Sequence, residues 1–522
     1  MENRRRDLYK AAGPSSSVQG MRARRREEEA ELRRARRESQ LVSKRAPRGP
    51  AASPGSPSSP HEPQAAAAAE TVPQLWLEVQ RTASSGALGP RLEALRALRR
   101  ALPNPDAQAA FIGVEGGVRS LVALLARGPE LQLEAARSLL RLSHSALPAA
   151  PLACLASTSY LVTLLGGHSP QLTEVCLYTL ANLVTESARA REQMMAQGLL
   201  PGIASCLQSP HGAVQEAAAF ALSQLLQAPE AFDRIIPAVR AAGLPSLLRT
   251  PLVLTPGARD IPTSAVEAAW CLHYLACRLP TCGASDLVEE PLIREAVGVL
   301  VELGGRLLSS PIPEYAELLV VPLVRCVGNV VCGGLGEGSR RAVRDAGLLP
   351  VLLVLAERFL PKRPFVSREC LWLVGNLTAG EPAWCSVLLR LGAHVRLAAL
   401  LRHGQGVGLM AARVLCTVAV RAGPSCSLLG GCPELLSAAA SVSLGGEAAP
   451  GDRDPELRVT ALQLWQPLLA NSPEARAWFE NEGGPAQLES LLLQSSGADE
   501  RVRQVARVLL QAPPPAEGWL VT

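Results

Sequence analysis

Most of the chain carries apolar residues at the spacing of an α-helix. Each segment opens with Gly or another small residue, runs through a stretch of the type x-L-V-x-L-L, turns, and continues into a second stretch that ends in A-L-x-x-L. Apolar residues three and four positions apart lie on one face of a helix. From residue 75 to residue 512 the pattern therefore predicts a succession of amphipathic helices that bury one face against their neighbours.

The helix pairs form an internal repeat. Segments 116–143, 157–184, 198–226, 347–377 and 392–419 resemble one another, and one position near the end of the second helix aligns in every unit. The aligned residues are Arg141, Asn182, Gln224, Tyr274, Asn329, Asn376, Thr417 and Pro467, with spacings of 41, 42, 50, 55, 47, 41 and 50 residues. A period in the low forties is typical of HEAT and armadillo solenoids. We expect an all-α armadillo-repeat array, a right-handed superhelix (α-solenoid) with a long concave groove.

Composition agrees with this architecture. Hydrophobic residues make up 48% of the chain but aromatic residues only 3%, so the apolar content is mainly Leu, Ala and Val. Most β-sandwiches and barrels need more aromatic and β-branched residues than this. The 13 cysteines form no C-x-x-C pair and most lie within apolar helical runs. Reduced core thiols in a cytoplasmic or nuclear protein explain them better than disulfides do.

Charge divides the chain into regions. Residues 1–49 hold 15 Lys and Arg against 7 Asp and Glu, a net charge of +8, whereas the remainder has a net charge of −3. This asymmetry predicts either an acidic partner for a basic arm (1–49) or docking of the arm onto its own body. Residues 46–74 contain seven prolines with Ser, Gly and Ala, so we assign 50–74 to a disordered linker. The repeat array then covers 75–512, and 513–522 is a disordered tail.

The residues indicate no enzyme. The seven histidines are scattered, no His pair has metal-ligand spacing, and no phosphate-binding loop or G-x-S-x-G motif is present. We therefore predict no catalytic residue, metal site, cofactor or small-molecule substrate. The charged residues 2–10 are followed by no apolar segment, so no signal peptide is expected.

Two apolar stretches raise the question of a membrane span. Leu152–Gly167 has only 16 residues, and Leu318–Leu335 contains Arg325 and Asn329. A spanning helix needs about 20 mostly apolar residues. Buried solenoid helices account better for both stretches, and a membrane-associated protein that uses Leu152–Gly167 remains an alternative.

The arm resembles the importin-β-binding segment of importin-α. From Met21 to Arg45 it reads MRARRREEEAELRRARRESQLVSKR, which follows the family order of an Arg cluster, a Glu, an E-L-R-K-A-K-K-like segment, a Gln and a basic end. The resemblance implies that an importin-β-type receptor binds Arg22, Arg24, Arg25, Arg26, Arg33, Arg34, Arg36, Arg37, Lys44 and Arg45. A solvated charged helix is one alternative. Nucleic-acid binding is another, although Tyr9 is the only aromatic residue in the arm.

The repeats also resemble importin-α, which carries Trp-x-x-x-Asn pairs on the third helix of its repeats. In that family the Asn amide binds the backbone of an extended cargo peptide, and the indole packs on the aliphatic part of a cargo Lys. LVRCVGNVVCG (323–333) and CLWLVGNLTAG (370–380) match this segment. The resemblance implies a cargo groove that contains Tyr178, Asn182, Arg325, Asn329, Trp372 and Asn376.

Departures from the family pattern are as informative as the matches. Only the pair Trp372/Asn376 is complete among eight, and other pairs read Arg137/Arg141, Phe220/Gln224, Trp270/Tyr274, Arg413/Thr417 and Gln463/Pro467. Arg137 and Arg141 would repel a basic peptide, so we expect such binding in the C-terminal half. LQLEAARSLLRLSHS, CLYTLANL and SQLLQA place the chain in a divergent branch of the family.

The resemblance implies a nuclear-import adaptor that shuttles between cytoplasm and nucleus. Its partners would be an importin-β-type receptor and a protein cargo that carries a basic nuclear localisation signal. A non-transport scaffold, or a regulator that sequesters the receptor, is the first alternative.

Overall fold

The computed structural model describes residues 62–85, 88–254, 260–277, 290–333, 343–445, 454–493 and 500–511. Within these ranges the regular elements are helices, which confirms the predicted all-α fold. The helices form two compact units that divide between Val299 and Leu300. We call them the N-terminal unit and the C-terminal unit.

The helices of the N-terminal unit are α1 (Glu62–Ser85), α2 (Leu88–Ala101), α3 (Pro105–Gly113), α4 (Gly117–Ala123), α5 (Pro129–Ser143), α6 (Ala149–Cys154), α7 (Thr158–Leu164), α8 (Pro170–Leu183), α9 (Ala188–Ala196), α10 (Leu199–Leu207), α11 (Gly212–Leu226), α12 (Ile236–Ala241), α13 (Leu244–Leu247), α14 (Arg249–Leu252) and α15 (Thr263–Cys277). The division between the units falls within α16 (Glu290–Ser309).

The helices of the C-terminal unit are α17 (Glu317–Gly333), α18 (Leu348–Phe359), α19 (Pro364–Gly380), α20 (Pro382–Arg390), α21 (Ala393–Leu400), α22 (Val407–Arg421), α23 (Ser427–Gly430), α24 (Pro433–Ser443), α25 (Pro455–Asn471), α26 (Pro473–Asn481), α27 (Gly484–Leu493) and α28 (Glu500–Leu510).

Three helices make one armadillo repeat, as α9, α10 and α11 illustrate. The second helix of a repeat follows a glycine with positive φ at Gly116, Gly198, Gly243, Gly347, Gly392 and Gly483. Since a side chain strains this left-handed conformation, glycine makes the corner between the first and second helices. Several third helices begin at a proline, which suits the first helical turn: Pro129, Pro170, Pro364 and Pro455.

Third helices pack side by side along each unit. In the N-terminal unit α5, α8, α11 and α15 are consecutive neighbours, and in the C-terminal unit α17, α19, α22, α25 and α28 are. Small buried residues allow a close approach, as with Ala217, Ala218 and Ala219 on α11. Each third helix is thereby buried on its flanks, and its remaining surface forms part of one continuous face of the unit.

The predicted linker boundary at residue 74 is wrong. α1 begins at Glu62, and Val72 and Trp76 are buried. Trp76 packs edge-to-face against Phe111 of α3, with ring centroids 5.2 Å apart. The physical reason is local. Alanine has the highest helix propensity of any residue type, and residues 65–69 are all alanine. Pro63 lies in the first turn, where a helix tolerates proline. Residues 1–61, which contain the arm and most of the linker, and the tail 513–522 lie outside the described residues.

In the described part of the chain, no single helix is both long enough and apolar enough to cross a membrane. Two pairs of consecutive helices reach this length and hydropathy only when they are taken together, and each pair is sharply bent. They are Pro105–Gly113 with Gly117–Ala126, bent by 90°, and Pro382–Arg390 with Ala393–Leu400, bent by 89°. The stretch Leu152–Gly167 is divided between α6 and α7.

Candidate functional site

The structure places the eight predicted residue pairs on eight third helices: α5, α8, α11, α15, α17, α19, α22 and α25. The two residues of a pair are four positions apart, so they share one helix face. Because neighbouring third helices pack side by side, pairs from consecutive repeats are adjacent within each unit. We call this surface the third-helix face.

Tyr178 and Asn182 join neighbouring repeats in the N-terminal unit. The Tyr178 hydroxyl donates a hydrogen bond to Glu216 Oε1 at 2.9 Å, and the ring lies 5.5 Å from that of Phe220. Burial and the adjacent Glu216 raise the pKa of Tyr178 well above its ordinary value of 10, so the hydroxyl remains a donor. Asn182 Nδ2 donates to Ser143 Oγ at 3.1 Å. Both residues are thus held by the repeats on either side.

An acidic and aromatic pattern on three consecutive third helices was missed by the sequence reasoning. Each of α8, α11 and α15 carries one Glu and neither Lys nor Arg, and each Glu precedes an aromatic residue by three or four positions. The pairs are Glu174/Tyr178, Glu216/Phe220 and Glu267/Trp270. The pairs were readable in the sequence, because the interval is four residues on α8 and α11 and three on α15. These three helices thus carry acidic charge without Lys or Arg; Glu174 and Glu216 are half-buried, whereas Glu267 and the three aromatic rings are buried.

Arg137 is neutralised within the fold. Its Nη1 donates to Glu134 Oε1 at 2.8 Å, and Arg99 Nε of α2 donates to the other carboxylate oxygen at 2.8 Å. The Glu134 side chain is only 6% exposed. Two guanidinium groups therefore share one buried carboxylate, so α2 and α5 together keep one positive charge from these three groups, and α5 packs against the acidic helix α8.

Arg325 also pairs with a carboxylate of the next repeat. Its Nε donates to Glu369 Oε2 at 3.0 Å, and the two side chains are 3% and 2% exposed. A buried ion pair joins α17 to α19 at the aligned position where the family carries Trp. Asn329, one turn further along α17, is half-buried.

Trp372 packs on the preceding third helix. A Cβ built on Gly328 of α17 would lie 2.3 Å from Trp372 Cζ3 and 2.5 Å from Cη2. The indole therefore lies in a gap that only a glycine at position 328 leaves open. Asn329 is the next residue in the sequence. Asn376 is half-buried, and its Nδ2 is buried without a hydrogen-bond partner among the described residues. The structure brings Asn329, Trp372 and Asn376 onto two adjacent helices.

The last repeats carry different chemistry. Glu456 of α25 accepts from Arg413 Nη2 of α22 at 3.1 Å and from Arg501 Nη1 of α28 at 2.9 Å. Thr417 donates to the Arg413 carbonyl at 2.9 Å, and Gln463 is exposed. At these aligned positions Arg413, Thr417, Gln463 and Pro467 thus replace the Trp and Asn residues that the resemblance implies.

The predicted receptor-binding residues, Arg22 to Arg45, lie outside the described residues, so their role stays a prediction. Among the described residues no three His, Cys, Asp or Glu side chains are grouped closely enough to hold a metal ion.

Repeated helix triplets with an aligned face of aromatic, amide and acidic groups define an importin-α-like armadillo-repeat protein. The chain belongs to the TMCO6 family, which matches residues 72–511. A second family, described as importin beta binding domain, matches residues 5–88. That match includes the predicted arm and extends beyond residue 49, into α1 and the first residue of α2.

Two curated relatives are importin subunits. Importin subunit alpha-9 of Arabidopsis thaliana is 28% identical over 322 residues, which cover 60% of this chain and 58% of the relative. Importin subunit alpha-1a of Oryza sativa subsp. japonica is 27% identical over 279 residues, 51% of this chain and 46% of the relative. The chain therefore spans about half the length of these relatives.

Among solved structures, an engineered protein of the Northeast Structural Genomics Consortium has a similar fold. Its TM-score is 0.62 at 23% identity, over 84% of this chain and 98% of that one.

Proposed function

We propose that this protein is a nuclear-import adaptor of the importin-α type. Its basic arm binds an importin-β-type receptor, its third-helix face holds a protein cargo with a basic signal, and the protein moves between cytoplasm and nucleus. The observation that carries the proposal is the charge of α8, α11 and α15: each of these three successive third helices carries one Glu and neither Lys nor Arg, and Glu174 and Glu216 are half-buried.

This pattern suits the side chains of a basic peptide. The charged group of a cargo Lys or Arg approaches Glu174 or Glu216, which are half-buried, while the aromatic rings one turn further along each helix are buried. Asn182 adds an amide that both donates and accepts, as the backbone of an extended peptide requires. Such charge-assisted contacts contribute about 1.5–3 kcal/mol each, before the cost of ordering the peptide.

The C-terminal unit supports a second set of contacts. Asn329 and Asn376 offer amides, and the Trp372 indole lies over Gly328 beside them. Arg325 is already paired with Glu369, so this part of the face is close to neutral. In place of the basic-peptide binding that the sequence led us to expect in this half, we propose that it binds peptide backbone and aliphatic side chains.

A peptide titration tests the proposal. The full chain is titrated with a labelled peptide that contains a run of Lys and Arg, and then with its Gln-substituted version. We expect the basic peptide to bind, and Glu174→Gln and Glu216→Gln to weaken it about three- to tenfold each, since both carboxylates are half-buried. Glu115→Gln, at an exposed position between α3 and α4, is the matched control. Equal affinity in all four proteins would remove the basis of the proposal.

A non-transport regulator that sequesters the receptor is a second candidate function. It is favoured by the incomplete pairs of the face, since only Trp372/Asn376 keeps both residues. The two functions differ in one measurement. An adaptor binds receptor and basic peptide in one complex, whereas a sequestering protein binds the receptor and leaves the peptide free.

A further inference from the structure

The last third helices of the C-terminal unit carry basic side chains. On the face of α22, Arg413, Thr417 and Arg421 follow each other at intervals of four residues. The neighbouring helices add Glu456 from α25 and Arg501 from α28. Among these charged side chains, the three guanidinium groups of Arg413, Arg421 and Arg501 accompany the one carboxylate of Glu456. We call this surface the arginine face.

Glu456 shows how this surface holds a carboxylate. Arg413 Nη2 and Arg501 Nη1 each donate to a different oxygen of the same group, at 3.1 Å and 2.9 Å. The Glu456 side chain is 13% exposed, whereas those of Arg413 and Arg501 are 29% and 30% exposed. The carboxylate is thus enclosed while both guanidinium groups reach the solvent.

We propose that the arginine face is a docking surface for an acidic segment of a partner protein, and that it is distinct from the proposed site for basic signals. Carboxylates match guanidinium groups in charge and in the geometry of paired hydrogen bonds. A Lys-rich or Arg-rich peptide meets like charge here, and like charges across an interface are unfavourable.

The same surface is poorly suited to nucleic acid. Proteins that bind single strands stack bases on exposed aromatic side chains. α22 and α28 contain no aromatic residue, and Trp465 of α25 is fully buried. The arginine face thus offers charge without a surface for base stacking, which favours the carboxylates of an acidic peptide.

Titration of the full chain with a labelled Glu-rich peptide tests the proposal. We expect binding that weakens steeply with added salt and is lost when every Glu of the peptide is replaced by Gln. Arg421→Gln should weaken it about tenfold, and Arg413→Gln with Arg421→Gln more than tenfold. Arg390→Gln with Arg402→Gln, at two exposed positions of the same unit, is the matched control and should leave affinity unchanged.

The thermal unfolding of Arg421→Gln should also be measured. An unfolding temperature equal to that of the wild type shows that the loss of binding is not caused by loss of the fold. Four outcomes would overturn the proposal. These are no binding of the Glu-rich peptide at low salt, equal loss in the control variant, displacement by the basic peptide at equal concentration, and tighter binding of a single-stranded oligonucleotide that depends on the same arginines.

The arm's own Glu27, Glu28 and Glu29 are the remaining competitors for the arginine face. Replacing these three residues by Gln in the full chain should change the affinity for the Glu-rich peptide less than twofold. A gain of tenfold or more would instead assign the arginine face to the arm. Because the probe is acidic, failure here leaves the adaptor proposal, which is tested with a basic peptide, unaffected.

Discussion

The Trp372 indole lies over Gly328 so closely that a single methyl group at position 328 would fall 2.3 Å from Cζ3 of the ring. Gly328 is on α17 and Trp372 on α19, so the contact joins two consecutive repeats. It fixes the indole beside Asn329, on the surface that we propose for cargo. Because of this contact, substitution of Gly328 should lower the free energy of unfolding by a measurable amount.

Gly328→Ala should destabilise the protein by about 1–3 kcal/mol, because the added Cβ forces the indole or the helix to move. Trp372→Ala in the same chain removes the ring and should abolish this cost, which a double-mutant cycle by chemical denaturation measures.

Gly305→Ala is the control for the Gly328 prediction. Gly305 is also helical, but a Cβ there meets nothing within 4 Å, so the change should stabilise the protein by up to about 1 kcal/mol. Similar effects of Gly328→Ala in the presence and absence of Trp372 would contradict the packing interpretation.

A second prediction concerns the arm. Replacing Arg33, Arg34, Arg36 and Arg37 together by Ala should weaken binding of an importin-β-type receptor at least a hundredfold, since several charge-assisted contacts are lost. Binding should also fall steeply with salt. Surface plasmon resonance with the full chain measures both effects.

Arg4, Arg5 and Arg6 provide a comparison for the arm, because they are basic but precede the segment that resembles the importin-β-binding pattern. Their replacement by Ala should change affinity less than threefold. If both sets of substitutions weaken binding equally, net charge rather than the pattern explains the interaction.

The pair Arg191–Glu230 predicts a pH-dependent stability. Arg191 Nε and Nη2 donate to the two carboxylate oxygens at 2.6 and 2.9 Å, and Nη1 donates to the Val184 carbonyl at 2.8 Å. The hydrogen bond from Arg191 lowers the pKa of Glu230 below its ordinary 4.5. A lowered pKa stabilises the fold above the ordinary value, and this contribution is lost as pH falls through the lowered value.

Glu230→Gln should therefore cost about 1–3 kcal/mol at pH 7 and much less at pH 3. Urea unfolding at both pH values measures the difference. Glu192→Gln serves as the control, since Glu192 contacts Arg234 only at 3.5 Å and both side chains are largely exposed. A cost for Glu230→Gln that does not depend on pH would argue against the ion pair as its source.

Cysteine reactivity gives a fourth prediction. Burial raises the pKa of Cys154 and Cys176 to about 12, so almost no thiolate forms there at pH 8. Cys332 is exposed. Brief treatment with iodoacetamide at pH 8 should modify Cys332 and leave Cys154 and Cys176 unmodified, as read by peptide mass spectrometry. Early modification of Cys176 would show that α8 opens readily. Protein treated with iodoacetamide in denaturant is the reference in which every cysteine reacts.

The cargo surface yields a fifth prediction, in two parts. Asn376→Ala should weaken an extended peptide about three- to tenfold, because one amide contact is lost. Asn471→Ala is the matched control, since its Nδ2 already bonds to the Pro467 carbonyl at 2.9 Å on an exposed turn. Identical affinities for the two variants would leave Asn376 without a role in binding.

The helices and the repeat can be read from the amino-acid sequence. The period of the apolar residues depends only on the geometry of one helix, so the alignment of eight positions from Arg141 to Pro467 was found without any knowledge of packing. The prediction from sequence was wrong at Glu62–Ser85. The number of prolines suggested a linker there, whereas the alanine run favours a helix. The pattern of the arm was also readable, since its residues are consecutive.

The partners of individual side chains depend on how the helices pack and cannot be read from the repeat. Arg325 pairs with Glu369, which is 44 residues away, and Glu456 lies between Arg413 and Arg501. These contacts depend on how neighbouring third helices are positioned along their axes, and a one-turn shift of about 5.4 Å would change every partner. Sequence periodicity places a residue on a face, but packing between helices selects the residue that it contacts.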